Sequence, residues 1–187
     1  MKKSIAFGMV GLAALGLAGN LSAAEKAPQK VVDLAGSELA KLGSDPVIVE
    51  AVKVENAKGK TLDQIKELDK KWQQAAGVVD YMQALMNNPC GKRLKEIQKS
   101  APYYAELFVM DKLGANVCMS DKTSDYWQGD EPKFSESYKD GKGAVHIGEV
   151  KFDDSVQAYI VQVSVPVTEG GAVIGAMTIG IDVDKLK

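Results

Sequence analysis

Apolar positions recur at helical spacing through the first half of the chain, and in the second half they alternate or run together. Val31, Leu34, Ala35, Leu39 and Leu42 follow steps of three and four residues, the mark of a helix with one buried stripe. Gly43 can stop it, and Ser44-Asp45-Pro46 restarts a helix with proline near the first turn, where its missing N–H costs nothing. Val47, Ile48, Ala51, Val52 and Val54 carry that helix to Asn56, and Ala57-Lys58-Gly59-Lys60 breaks it. Thr61 with Gln64 three residues later matches a capping box. Leu62, Ile65, Leu68, Trp72, Ala76, Val79, Met82 and Met86 then share one stripe over about seven turns. This pattern predicts a single long helix, with Trp72 in the core, ended by Asn87-Asn88-Pro89. A shorter helix is expected from Pro89 to Gln98.

The second half reads as strands. Glu106–Met110 and Ala115–Met119 are strand-like and flank the turn Asp111-Lys112-Leu113-Gly114, which makes a hairpin. A loop over 121–134 follows, with a short helix from Lys133 to Lys139. Three longer strands are expected at about 144–152, 156–167 and 172–182, joined by Asp153-Asp154-Ser155 and Glu169-Gly170-Gly171. Val161, Val163 and Val165 alternate with Gln162 and Ser164, as on a strand with one buried and one wetter face. The last strand is apolar on both faces and contains Gly175 and Gly180, which marks it as central and covered on both sides. The fold class that follows is α+β, with long N-terminal helices packed on a five-stranded antiparallel sheet.

The N-terminus changes the picture of where this domain works. Met1-Lys2-Lys3, an apolar run from Ile5 to about Ala18, and Ser22-Ala23-Ala24 form an export signal cleaved after Ala24. The apolar run falls short of the roughly 20 residues of a comfortable membrane span, and no cysteine follows it for lipidation. Residues 1–24 are thus expected as a cleaved leader and 25–187 as one soluble, exported or periplasmic domain. Losing Lys2 and Lys3 moves the formal net charge from −2 to −4. That mild acidity, with no basic block, argues against nucleic acid as a partner. Cys90 and Cys118 would lie in an oxidising compartment, where they form either a disulfide or two separate buried thiols. Their spacing fits neither a redox pair nor a zinc site.

Candidate chemistry concentrates in loop 121–134. It carries the aromatics Tyr126, Trp127 and Phe134, four acids and two lysines in fourteen residues, with Gly129 and Pro132 breaking any long element. Loops on a rigid scaffold are where binding groups sit, and an aromatic wall with a few charges is the usual make-up of a small-molecule pocket. The plainer alternative is a solvated loop pinned by one buried tryptophan. Tyr126 and Trp127 are adjacent, so in an extended segment only one of them faces a pocket. Asp130 can read an amine or cap a helix starting near Pro132, while Lys133 and Phe134 lie on the first turn of that helix. Tyr159 is a candidate rim residue or a core one. Enzyme chemistry finds little support. His146 is the single histidine and lies in an expected strand, with no nucleophile motif, phosphate-cradling loop or metal-ligand spacing anywhere. No cofactor or metal is expected.

Three features in order resemble the Cache superfamily, the extracytoplasmic PAS-like sensor domains of the PDC type, in single-domain form. They are the long helix before the hairpin at 106–117, the Thr-Ser-Asp-Tyr-Trp-Gln-Gly-Asp-Glu run at 123–131, and Ser-Val-Pro-Val at 164–167 followed by Val-Ile-Gly-Ala-Met at 173–177. The resemblance spans about residues 30–187. It implies a ligand cavity between the central sheet and the loops crossing it, for amino acids, amines or carboxylates. It assigns an aromatic face and a basic group to the segment of Tyr126, Trp127, Lys133 and Phe134. It also assigns an ammonium-binding aspartate to Asp153, thirteen residues before Pro166. Where the amino-acid-sensing form has an arginine two residues before a Trp-Tyr pair, this chain has Glu131-Pro132-Lys133-Phe134. Lysine lacks the bidentate fork of arginine, so the resemblance implies a pocket and leaves the ligand class open. It further implies a membrane-bound signalling partner, or an uncleaved N-terminus as anchor, and a homodimer paired through the first helix. A structural subunit of the pilin type, which also sets a helix before an antiparallel sheet, is the alternative reading.

Overall fold

A computed structural model describes residues 25–186, and the expected leader over 1–24 lies outside the described residues. The helical layer begins with α1 (Gln29–Leu34), which runs through a π-helical stretch (Ala35–Leu39) into α2 (Ala40–Leu42). Val31, Ala35 and Leu39 are all buried although each lies four residues from the next. Widening the turn offsets the sideways drift such a stripe would have on an ideal helix of 3.6 residues per turn.

Helix α3 (Pro46–Ala57) is capped by Asp45, whose Oδ1 accepts from Val47 N at 3.0 Å, with proline inside the first turn. Helix α4 (Leu62–Gln74) opens with the full capping box. Gln64 N donates to Thr61 Oγ1 (3.3 Å), and Thr61 N donates to Gln64 Oε1 (2.9 Å).

The single long helix expected over 62–86 is instead two. Helix α4 stops at Gln74, and α5 (Asp80–Asn87) starts afresh after a bent connection. Gly77 sits at φ 102°, a conformation closed to a helix, and Val79 is extended before α5. The stripe survives the break because Ile65, Trp72 and Met82 still meet in one cluster, and the rings of Trp72 on α4 and Tyr81 on α5 lie 5.9 Å apart. Apolar spacing records which residues are buried, and it continues through a turn that re-aims the axis. Helix α6 (Pro89–Ser100) follows at once, with Asn88 Oδ1 accepting from Gly91 N at 2.7 Å.

The sheet contains β1 (Tyr104–Met110), β2 (Asn116–Met119), β3 (His146–Asp153), β4 (Ala158–Glu169) and β5 (Ala172–Asp182). Their order is β2-β1-β5-β4-β3 and all neighbours are antiparallel, so β5 is central as its two apolar faces imply. One face, with Leu107, Val109, Val161, Val163 and Ile179, packs on α1, α3 and α6. Cys90 on α6 and Cys118 on β2 are disulfide-bonded there, with Cα atoms 5.8 Å apart. The other face, with Phe108, Met110 and Ala176, meets α4, α5 and α7 (Pro132–Tyr138). The fold is α+β with a five-stranded antiparallel sheet, as expected.

Candidate functional site

The loop between β2 and α7 crosses that second face and is pinned along its length. Asp69 on α4 accepts from the backbone N–H groups of Tyr126 (2.8 Å) and Trp127 (3.0 Å). Trp72 Nε1 donates to Thr123 O at 2.8 Å. Asn116 Nδ2 donates to Thr123 Oγ1 (2.8 Å) and to Asp125 O (3.1 Å). A loop held at this many points is a wall.

Between this wall, the sheet and the β3–β4 turn lies a cavity of about 420 Å³. Phe108 on β1 gives it an apolar floor, beside which stand Glu106 and Gln162. Lys133 enters from α7, Asp153 and Asp154 from the β3–β4 turn, and Gln128 from the crossing loop.

Glu106 and Gln162 meet across three strands. Both pair in register with Gly180 on the intervening β5, and Gln162 Nε2 donates to Glu106 Oε1 at 2.8 Å. A Cβ on Gly180 would stand 2.6 Å from Glu106 Cγ, so the glycine is what lets the carboxyl reach across. The register also slips between Tyr104 and Glu106. This bulge turns Glu106 onto the cavity face, while Tyr104 packs with the helical core. Glu106 is 9% exposed. Burial pushes its carboxyl above the ordinary glutamate range, and the Asp153 and Asp121 charges add to this. The bond from Gln162 and the Lys133 charge oppose it.

The predicted site residues divide. Lys133 and Asp153 come together on the cavity wall. Lys133 Nζ lies 3.0 Å from Glu131 Oε2 and 5.5 Å from the Phe108 ring centroid. Asp153 Oδ1 accepts from Ser155 N (2.9 Å) and Val156 N (3.2 Å), which shapes the turn. Tyr126 is buried, with its ring 5.6 Å from Trp72 and its hydroxyl accepting from Lys60 Nζ at 2.8 Å. Phe134 is buried too, stacked on Tyr138. Trp127 faces a separate open groove against α4, with Lys66 Nζ 4.5 Å over its ring and its Nε1 donating to Leu113 O. Asp130 is exposed on that groove and is not the cap of α7, whose N-cap is Glu131. Tyr159 is 53% exposed, edge-on to Phe152, away from the cavity.

Glu106, Phe108, Gln128 and Gln162 were missed as wall residues. Two signals existed: a glycine inside a strand marks a close approach, and Gln162 and Ser164 mark the wetter face of β4. A larger groove of about 700 Å³ lies between α3, α5 and α6. Its walls are mainly apolar and its polar members are engaged, Glu55 with Lys58 and Lys60, and Asn88 as a cap. Among the described residues no three His, Cys, Asp or Glu side chains converge as for a metal, and no helix is long and apolar enough to cross a membrane.

No protein-family model and no curated protein matches the chain. Solved structures do resemble it. The ligand-binding domain of the Campylobacter jejuni chemoreceptor Tlp3 in complex with 4-methylisoleucine is 14% identical, with a TM-score of 0.42 over 84% of this chain and 60% of that one. The sensor domain of the V. cholerae histidine kinase DctB is 12% identical, with a TM-score of 0.40 over 84% and 59%. The ligand-binding domain of the Pseudomonas aeruginosa amino acid chemoreceptor PctC, in complex with GABA, is 12% identical, with a TM-score of 0.42 over 83% and 63%. The chain spans about 60% of the length of such domains. These three solved structures are ligand-binding or sensor domains of two chemoreceptors and a histidine kinase.

Proposed function

We propose that this chain is an exported single-Cache-type sensor domain that binds a small polar metabolite, an amino acid, amine or carboxylate, and relays its presence through protein contacts. The observation that carries the reading is the cavity of about 420 Å³ between sheet, crossing loop and β3–β4 turn. It pairs an apolar floor at Phe108 with the polar groups of Glu106, Gln128, Lys133, Asp153 and Gln162, the composition of small-molecule sites generally. The pinned loop makes the cavity largely pre-formed, which lowers the ordering cost of binding.

Export would follow from cleavage after Ala24. Output would then pass to a membrane-bound signalling partner. In a homodimer paired through the first helix, Val31, Ala35 and Leu39 are occupied by the core, so the pairing face would be the exposed one that carries Val32.

The test is thermal unfolding against a panel of amino acids, amines and short carboxylates. A ligand at 100 times its dissociation constant adds about 2.7 kcal/mol, a rise of roughly 5–11 °C for a domain near this size. The shift is expected to vanish in Asp153→Asn while the fold is kept. A panel with no active member would leave the loop face as a protein-contact surface.

A further inference from the structure

Among the described residues lining the cavity, three acids outnumber two lysines. Lys133 is held by Glu131 at 3.0 Å, and Lys122 Nζ donates to the Gly77 carbonyl at 3.2 Å. Against them stand three acids lining the cavity, Glu106, Asp153 and Asp154. Gln128 is 1% exposed, and its Nε2 donates to Asp125 O at 2.8 Å. That bond sets the amide's orientation, since a flip would turn carbonyl against carbonyl, and it leaves Oε1 as a buried acceptor with no partner. Of the buried side-chain atoms without a partner among the described residues, this one alone belongs to a residue lining the cavity. A buried, unpaired acceptor is costly until a donor reaches it.

We propose that the cavity takes a small alkylammonium cation, held by the Glu106 carboxylate beside the Phe108 floor with the Gln128 carbonyl oxygen as second acceptor. This rests on the small-ligand reading above and names the ligand's charge. An ammonium supplies the donor that Gln128 Oε1 lacks and a counter-charge for Glu106, whose Oε1 already accepts from Gln162, and its alkyl stem covers Phe108. An anionic ligand would meet three carboxylates and two lysines already engaged.

Binding is coupled to protons. The groups facing Glu106 are Gln162 across Gly180, Lys133 from α7, Asp121 and Lys122 from the crossing loop, and Asp153 and Asp154 from the β3–β4 turn. Gln98 from α6 is bonded to Asp121. Burial chiefly, with the Asp153 and Asp121 charges, favours the protonated carboxyl when no ligand is bound, and an arriving ammonium favours the ionised one. Binding therefore releases a proton to solvent at low pH, and affinity rises with pH until Glu106 is ionised.

The experiment is calorimetric titration of the purified protein with n-propylamine and putrescine, and with propionate and succinate. Titrations run from about pH 5 to pH 8 in two buffers of different ionisation enthalpy, which counts the protons released. The amines are expected to bind, with affinity rising over that range. Glu106→Gln keeps the side chain's shape and its bond from Gln162, and is expected to weaken amine binding at least about tenfold and remove the pH dependence. Gln128→Leu is expected to weaken binding by a smaller factor.

Binding by the carboxylates alone overturns the cation assignment and leaves the small-ligand reading standing. Amine binding that is indifferent to Glu106→Gln, or flat with pH in the unaltered protein, removes Glu106 from the site. Silence from these probes and from the whole panel above overturns both readings.

Discussion

Glu106 and Gly180 show how much one position can carry. Gly180→Ala places a methyl within 2.6 Å of Glu106 Cγ and parts the carboxyl from Gln162. A loss of about 1–3 kcal/mol is expected in denaturant unfolding, the usual range for overpacking a tight site, together with loss of any ligand response. The buried carboxyl also sets a pH dependence. Because the folded protein holds the Glu106 proton more tightly than the unfolded chain, its contribution to stability is complete below the unfolded value of about 4.3. It is lost as pH rises through the folded value. Stability of the unaltered protein relative to Glu106→Gln is therefore expected to fall with rising pH above about 4.3 and then level off. Glu55 acts in the other direction. Burial would raise its carboxyl, but hydrogen bonds from Lys58 and Lys60 and their charges hold it below the ordinary range. Its stabilisation is lost only as pH falls through that lowered value, so the two windows separate.

Helix α4 serves the site without touching the cavity. Through Asp69 it binds two consecutive backbone N–H groups of the crossing loop, and through Trp72 it binds the carbonyl of Thr123. Asp69→Ala strips a charged acceptor from the Tyr126 and Trp127 amides. A cost of about 1–3 kcal/mol is expected, with faster hydrogen exchange at those two amides and little change in the β4–β5 core. The break between α4 and α5 belongs to the same arrangement, since Lys122 of the crossing loop donates to the carbonyl of Gly77 inside it. In the sequence that break was hidden under an unbroken stripe of apolar residues. Ala76-Gly77-Val78-Val79 was its trace, a glycine with two β-branched residues of lower helix propensity.

Over the whole molecule, the helical layer and the sheet are joined by packing and by one covalent link. The Cys90–Cys118 disulfide closes a loop of 28 residues between α6 and β2. In the chain-entropy account, replacing both cysteines by serine is expected to cost about 3–4 kcal/mol, readable as a lowered unfolding midpoint that reducing agent does not lower further. The unaltered protein should drop to a similar midpoint under reducing conditions.

Local chemistry was enough to place most of the elements. The capping box at Thr61, the Asp45-Pro46 start of α3, the alternation in β4 and the two-sided apolar run of β5 each depend on residues a few positions apart. The α+β class and the central place of β5 follow from such signals. The composition of loop 121–134 points to Lys133, Tyr126 and Phe134, of which folding buries the two aromatics, whereas Asp153 by itself reads as a turn residue and only the family resemblance raises it. Which aromatic faces the core depends on what α4 presents to the loop, and spacing along the loop carries no record of that. The meeting of Glu106 with Gln162 lies further still from local pattern. These residues are 56 positions apart. They touch because the strand order sets β5 between them, a bulge turns Glu106 to the cavity face, and Gly180 leaves the space above β5 open. Strand order and register are settled by long-range packing of whole faces, so a site assembled across three strands exists only once the sheet has formed.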